Sequence, residues 1–447
     1  MEKLYQAAAQ AAIQYAEKLD GRSVSPLNTD IERLKELDVP LQDAPLDPQV
    51  VLEELDRIGS PATVATTGRR YFGFVTGGSL PATTAAAMLA AAWDQNGAYR
   101  VLSPINAALE EVSSRWLLDL LGLPEDAGVG FATGATMSNF TCLAAARHAV
   151  LQKVGWDVEA QGLFGAPPIT VIVGDEVHAS ALKAIRLLGL GSDRVVRVPV
   201  DDQGRMRAEL LPPISSPTIV LIQAGNVNTG AFDPAVAVIE KAHESGAWVH
   251  VDGAFGLWAL ASRRLSHLAA GFNRADSWAM DAHKWLNVPQ DSGLAIVRSA
   301  TDQRAAMSAT AAYLITGNDR EPCHFTPEMS RRARGIEIWA ALRSLGRSGL
   351  EDLIDRTCTY ARLFAAGLTS AGYEVLNDVV INQVLVSFGS AERTNTVIRA
   401  IQQDGTCWCG GTVWQGHTAM RISVSSWATT EADVTRSLEA ILKAAAG

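Results

Sequence analysis

The stretch Asp281-Ala-His283-Lys284-Trp285 sets a lysine beside a histidine and an aspartate, just after the short apolar run Ser277-Trp-Ala-Met280. A lysine amine so placed can capture an aldehyde as an imine. Upstream stands His250-Val-Asp252-Gly-Ala254-Phe-Gly256. A carboxylate at Asp252 could keep a ring nitrogen protonated, so the pair could clamp a pyridine ring. Taken singly, each residue has a plainer role. A lysine after a strand is usually a solvated charge at a helix start, and an aspartate there is usually an N-cap. Topology is what joins them. Each follows a predicted buried strand, and open α/β sheets bind ligands at the edge where their strands end.

Two more stretches point to that edge. Gly128-Val-Gly130-Phe-Ala-Thr133-Gly134-Ala135-Thr136-Met137-Ser138-Asn139 leads into a helix. Small residues, hydroxyls and free amides at a helix start favour an anion, usually phosphate. The stretch is neither a dinucleotide fingerprint, since Thr133 stands where the third glycine should be, nor a P-loop, since it lacks a Gly-Lys-Ser/Thr ending. His178 follows the strand predicted over 169–173, and its flat ring could stack on an aromatic cofactor or simply cap the next helix. Asn226 and Asn228 follow the strand predicted over 218–222.

The elements that must position these residues alternate. Strands at 169–173, 195–200, 218–222, 248–251, 277–280 and 293–297 are interleaved with helices, which predicts a mostly parallel sheet covered on both faces. Residues 1 to about 60 read as helices broken by prolines, with little core of their own, so they need another surface, such as a second subunit. Tyr71-Phe-Gly-Phe74-Val-Thr76-Gly-Gly suits either a pocket wall or a packed loop. The loop Ile315–Pro327 is long enough for a lid. Beyond 336, helices and strands describe an α+β lobe. Arg421 lies in an otherwise largely apolar strand there, so it needs an anion or a solvated edge.

With 447 residues the chain exceeds one compact core. The net charge of -10 argues against a nucleic-acid partner and gives no basic face for a membrane. No apolar run reaches transmembrane length, and the first residues lack a signal-peptide pattern. Five scattered cysteines suggest reduced thiols in a cytoplasm, and Cys407-Trp-Cys409 lacks zinc spacing, so no metal site is expected.

In this order, the residues resemble the group II pyridoxal-phosphate-dependent amino acid decarboxylases, with the aspartate and lysine motifs as the most specific parts. The resemblance implies an α/β, type I aminotransferase-like fold. A helical N-terminal arm (1–80) would precede a large doubly wound cofactor-binding domain (81–335) and a small C-terminal α+β domain (336–447). It implies a homodimer with its site at the subunit interface, pyridoxal 5′-phosphate as cofactor and an amino acid as small-molecule substrate. Lys284 would hold the cofactor as a Schiff base, Asp252 would pair with the pyridine nitrogen and Ala254 would lie under the ring. His178 would stack on the ring and could donate a proton. Ala135, Thr136 and Met137 would take the phosphate with His283 close by, while Asn226 and Asn228 would border the cofactor. Phe74, Thr76 and Arg421 would meet the substrate. Many relatives carry a tyrosine proton donor in the mobile loop, where this chain has Arg320-Glu-Pro-Cys-His324-Phe325. His324 could substitute for it. The same departure leaves open an aldehyde synthase or a Cα–Cβ lyase or aldolase. A catalytically silent member is a further alternative, which loss of the lysine or the aspartate would favour, and both are present.

Overall fold

A computed structural model describes residues 1–309 and 320–447. The chain divides into two compact units: 79–361 with 377–383, and 1–78 with 362–376 and 384–447.

The larger unit is built on a seven-stranded sheet in the order β1-β7-β6-β5-β4-β2-β3. Its strands are β1 (Gly128–Ala132), β2 (Thr170–Gly174), β3 (Val196–Val198), β4 (Thr218–Gln223), β5 (Trp248–Asp252), β6 (Ser277–Asp281) and β7 (Gly293–Val297). The predicted parallel sheet is there from β3 to β6. β7 departs from it, running antiparallel to both β6 and β1. β1, unforeseen in the sequence, is fully buried. Its two glycines mark close approaches rather than a turn: a Cβ on Gly130 would come within 2.1 Å of the Phe325 carbonyl oxygen.

Thirteen α-helices occur among the described residues. The smaller unit opens with α1 (Glu2–Lys18), α2 (Asn28–Arg33) and α3 (Pro48–Ala62). The larger unit holds α4 (Pro81–Trp93), α5 (Pro104–Leu121), α6 (Ala135–Gln152), α7 (Val158–Gln161), α8 (Ala179–Leu187), α9 (Ala235–Glu244) and α10 (Ala300–Met307). α6 lies on the sheet, in contact with β5, β6 and β7. Cys142, Leu143, Ala146 and Val150 of α6 join Val171, Ile219, Leu221 and Ala295 in one buried core. Small residues along α6 allow this close seat, so β-strand ends and helix start meet at one edge.

α11 (Gly335–Ser370) passes through Gly346 at φ 60 and ψ -174, so it is two helices joined at a glycine. The units part within it at Arg362, and the N-terminal helices group with the C-terminal residues. The smaller unit continues with α12 (Ala391–Asp404) and α13 (Glu431–Ala446). It also carries most of a four-stranded sheet, β10-β11-β9-β8, formed by β8 (Glu374–Val375), β9 (Gln383–Ser387), β10 (Gly410–Trp414) and β11 (His417–Ser423). Of the loop expected as a lid, residues 315–319 lie outside the described residues, while Pro322–Phe325 form a single turn of 3-10 helix.

Candidate active site

The anion seat forms where β1 hands over to α6. Gly134, at φ 153 and ψ 178, makes the turn in a conformation that belongs to glycine. As the N-cap it offers no side chain, and the first-turn amides of a helix have no partners within it. One is taken from outside: Ala135 N donates to Asp281 Oδ1 at 2.5 Å. Thr136, Met137, His178, Asp281, His283 and Lys284 line a cavity of about 310 Å3 at this point.

Lys284 reaches the cavity because β6 ends at Asp281 and the chain turns at once. Trp285 anchors the turn, fully buried, with Nε1 donating to Thr357 Oγ1 at 2.9 Å. The Lys284 side chain is 13% exposed, and its Nζ stands 3.4 Å from Asp281 Oδ2. His283 Nδ1 donates to the Ser292 carbonyl at 3.3 Å and lies 3.6 Å from Asp281 Oδ1. His178 does cap α8, since its Nδ1 accepts from Ser180 N at 3.2 Å, and it also lines the cavity. The capping reading therefore holds, and the cap leaves Nε2 to carry the ring's proton.

Asp252 ends β5, the strand next to β6, and is buried. Its Oδ1 accepts from Ala254 N at 3.3 Å and its Oδ2 from Asn139 Nδ2 at 3.3 Å. With the Asn139 amide nitrogen facing a carboxylate, Oδ1 must face His250 Nε2, 2.8 Å away, so Nε2 carries the proton. His250 Nδ1 then accepts from Ser277 Oγ at 2.8 Å, and Ser277 Oγ accepts from Trp248 Nε1 at 2.9 Å. Every hydrogen bond from Trp248 to Asp252 points the same way and orients the carboxylate. Sequence reasoning gave no role to Asn139 or Ser277. The available signal was polar side chains inside segments otherwise built to be buried.

Burial pushes the His250 imidazole down to about 4, although Asp252 opposes this. The folded state thus holds His250 neutral, while the unfolded chain takes up a proton near pH 6.5. Stability from this group is therefore present above pH 6.5 and is lost as pH falls toward 4. Between pH 7 and 5 the loss should be about 2 kcal/mol. Denaturant unfolding at both pH values, compared with His250→Gln, isolates this share, because all other titrating groups cancel in the difference.

Other candidates lie apart from the cavity lining. Asn226 is buried in the service of its own loop: Oδ1 accepts from Asn228 N and Thr229 N, and Nδ2 donates to Glu176 Oε2 at 2.9 Å. Both ends of its amide are used in closing the loop. Asn228 enters that loop through its backbone. His324 has a buried, unpartnered Nδ1, and burial and nearby Arg304 lower its pKa. It is held in the 3-10 turn rather than at the cavity. Phe74, Thr76 and Arg421 belong to the smaller unit. Phe74 stacks on Trp408 at 5.6 Å, and Thr76 N donates to Gly73 O. Arg421 lies on β11 opposite Gly410, and burial lowers its pKa.

A sheet whose strand ends deliver a lysine, a buried carboxylate and a helix N-terminus to one edge defines an α/β scaffold for an aldehyde cofactor with a phosphate tail. The model of the pyridoxal-dependent decarboxylase conserved domain matches residues 31–390, and the chain belongs to that family. Its cofactor is pyridoxal 5′-phosphate, and the cavity residues fit it: an amine for the aldehyde and first-turn amides for the phosphate. Among similar proteins, the acidic amino acid decarboxylase of Bos taurus is 30% identical over 58% of this chain and 52% of its own length. The aromatic-L-amino-acid decarboxylase of Bacillus atrophaeus is 27% identical over 64% of this chain and 61% of its own. The matches thus span about half to three-fifths of those relatives. The structure of Oryza sativa TDC with PLP and tryptamine superposes with a TM-score of 0.90 at 22% identity, covering 100% of this chain and 97% of that one. That likeness establishes the fold.

Proposed function

We propose that the chain decarboxylates an L-amino acid to its amine and CO2 with pyridoxal 5′-phosphate. The observation that carries this reading is the meeting of Lys284 and the α6 N-terminus in one cavity, with Asp252 at the end of the neighbouring strand. When bound, the cofactor supplies an aldehyde and an electron-withdrawing ring. The Lys284 amine holds the aldehyde carbon. Asp252 keeps a proton on the ring nitrogen, and the donors behind it hold the carboxylate in place. Ala135, Thr136 and Met137 direct first-turn amides at the phosphate, with His283 beside it. His178 would pack against the ring, with its Nε2 proton available for transfer, and Ala254 would support the ring.

To Phe74, Thr76 and Arg421 we assign the choice of substrate. Phe74 and Val75 support this, because both hold positive φ (54° and 58°) without being glycine, and such strain concentrates at functional segments. We further propose a homodimer. The N-terminal helices expose Ile13, Ile31, Leu34, Val50, Val51 and Leu55, apolar side chains that a second subunit would cover. A particle of twice 47.6 kDa in solution is expected. No described helix is long and apolar enough to cross a membrane. All five cysteines are buried thiols outside any disulfide, which supports a cytoplasmic location.

The test is product analysis on a panel of acidic, aromatic and diamino acids with added cofactor. Release of CO2 with an equal amount of amine is expected for at least one. Aldehyde with ammonia and peroxide, glycine with an aldehyde, or no product at all would each replace this reading.

A further inference from the structure

Asp281 is a residue that a phosphate seat does not require. The α6 N-terminus offers amides and the positive end of a helix dipole, an arrangement that favours an anion. Into that arrangement the fold delivers a carboxylate whose side chain is only 4% exposed. Its Oδ1 takes the Ala135 amide at 2.5 Å, and its Oδ2 stands 3.4 Å from Lys284 Nζ. One side chain therefore occupies both a donor that a phosphate would use and the amine that an aldehyde would use. Its backbone is fixed on both sides: Asp281 N donates to Ala254 O at 2.9 Å, and its carbonyl accepts from Trp258 Nε1 at 3.1 Å. The carboxylate can swing about its side-chain bonds but cannot withdraw with the strand.

We propose that Asp281 is an internal placeholder for the cofactor's phosphate. In the cofactor-free chain its carboxylate caps α6 and holds the Lys284 side chain in the cavity. Binding of the phosphate competes with it for Ala135 N and sets two anions side by side. Asp281 thereby weakens the grip on the phosphate end and makes the cofactor exchangeable. The inference rests on the functional reading above and adds to it a positioning residue that governs cofactor loading.

The experiment compares wild type with Asp281→Asn, whose amide oxygen still accepts from Ala135 N but carries no charge. Pyridoxal phosphate and pyridoxal are each titrated by the absorbance of the bound aldehyde. The ratio of the two affinities isolates the phosphate, because any change in how readily Lys284 takes an aldehyde affects both ligands alike. The ratio should rise about tenfold in Asp281→Asn, the scale on which a like charge acts at a partly buried site. Inorganic phosphate alone, followed by calorimetry, should likewise bind the variant about tenfold more tightly than wild type. Asp281→Ser, also uncharged, should move both readouts the same way, and it serves if the amide variant misfolds. A ratio unchanged within twofold, or one that falls, overturns the placeholder while leaving the functional reading intact. If neither wild type nor variant binds pyridoxal phosphate, the functional reading fails and takes this inference with it.

Discussion

Lys284→Ala should lower decarboxylation by about 10^4-fold or more, while the folded chain survives. Among the described residues lining the cavity it supplies the only amine, so no neighbour can hold the aldehyde in its place. Its ammonium makes one ion pair, with Asp281, and packs 5.8 Å from the Phe255 ring centroid. Removing it costs little packing, because Trp285, Leu286 and Phe255 are themselves buried. The variant leaves Asp281 without its cation but still bonded to Ala135 N, so a stability change within about 1–2 kcal/mol is expected. Steady-state CO2 release and denaturant unfolding measured on the same preparation separate the two effects. A variant with a few per cent of wild-type turnover would mean that Lys284 is not the covalent anchor.

Asp252→Asn should cost about 10^2 to 10^4-fold in turnover, more than its cost in cofactor affinity. The reason lies in the direction of the donors. Oδ1 and Oδ2 each face a donor, Ala254 N and Asn139 Nδ2. An asparagine offers one oxygen and one NH2, so one of these contacts becomes donor against donor. Asn139 can relieve it by turning its amide over, but that sets NH2 against the proton on His250 Nε2. The mismatch moves along the chain without vanishing and leaves a buried donor unsatisfied, at about 1–3 kcal/mol. The variant therefore loses the charge that holds the ring proton and the order that aims the group. Asp252→Glu keeps the charge but not the reach and should recover part of the loss. The kcat values of both variants, taken at saturating cofactor, test this ordering. Equal kcat for wild type and Asp252→Asn would remove Asp252 from the chemistry.

The strands that carry the site were legible because each is a short apolar run closed by a residue that does not belong in a core: Asp252 after Val251, Asp281 after Met280. Burial on both faces of the sheet forces that composition. β1 was not legible, because Gly128 and Gly130 lower strand propensity and their purpose is contact with residues far along the chain. At Gly128 a Cβ would come within 2.3 Å of Gln303. The reversal of β7 left no trace either, since a buried antiparallel strand has the same apolar composition as a parallel one. The division at Arg362 falls inside a helix with no local marker. At the site, Lys284 and Asp252 announced themselves by position. The line of donors behind Asp252 joins Asn139, His250 and Ser277 across three elements, and no spacing rule connects them. Asp281 was visible in the motif, but its presence in an anion seat is a property of the folded edge alone.

The central claim, that Lys284 is the residue that anchors the cofactor, has a direct test. The protein loaded with pyridoxal phosphate is reduced with borohydride, digested and mapped by mass spectrometry. One pyridoxyl adduct is expected, on the peptide containing His283-Lys284-Trp285, and none there in Lys284→Ala. An adduct on a different lysine, or loss of the cofactor with no adduct at all, would contradict it.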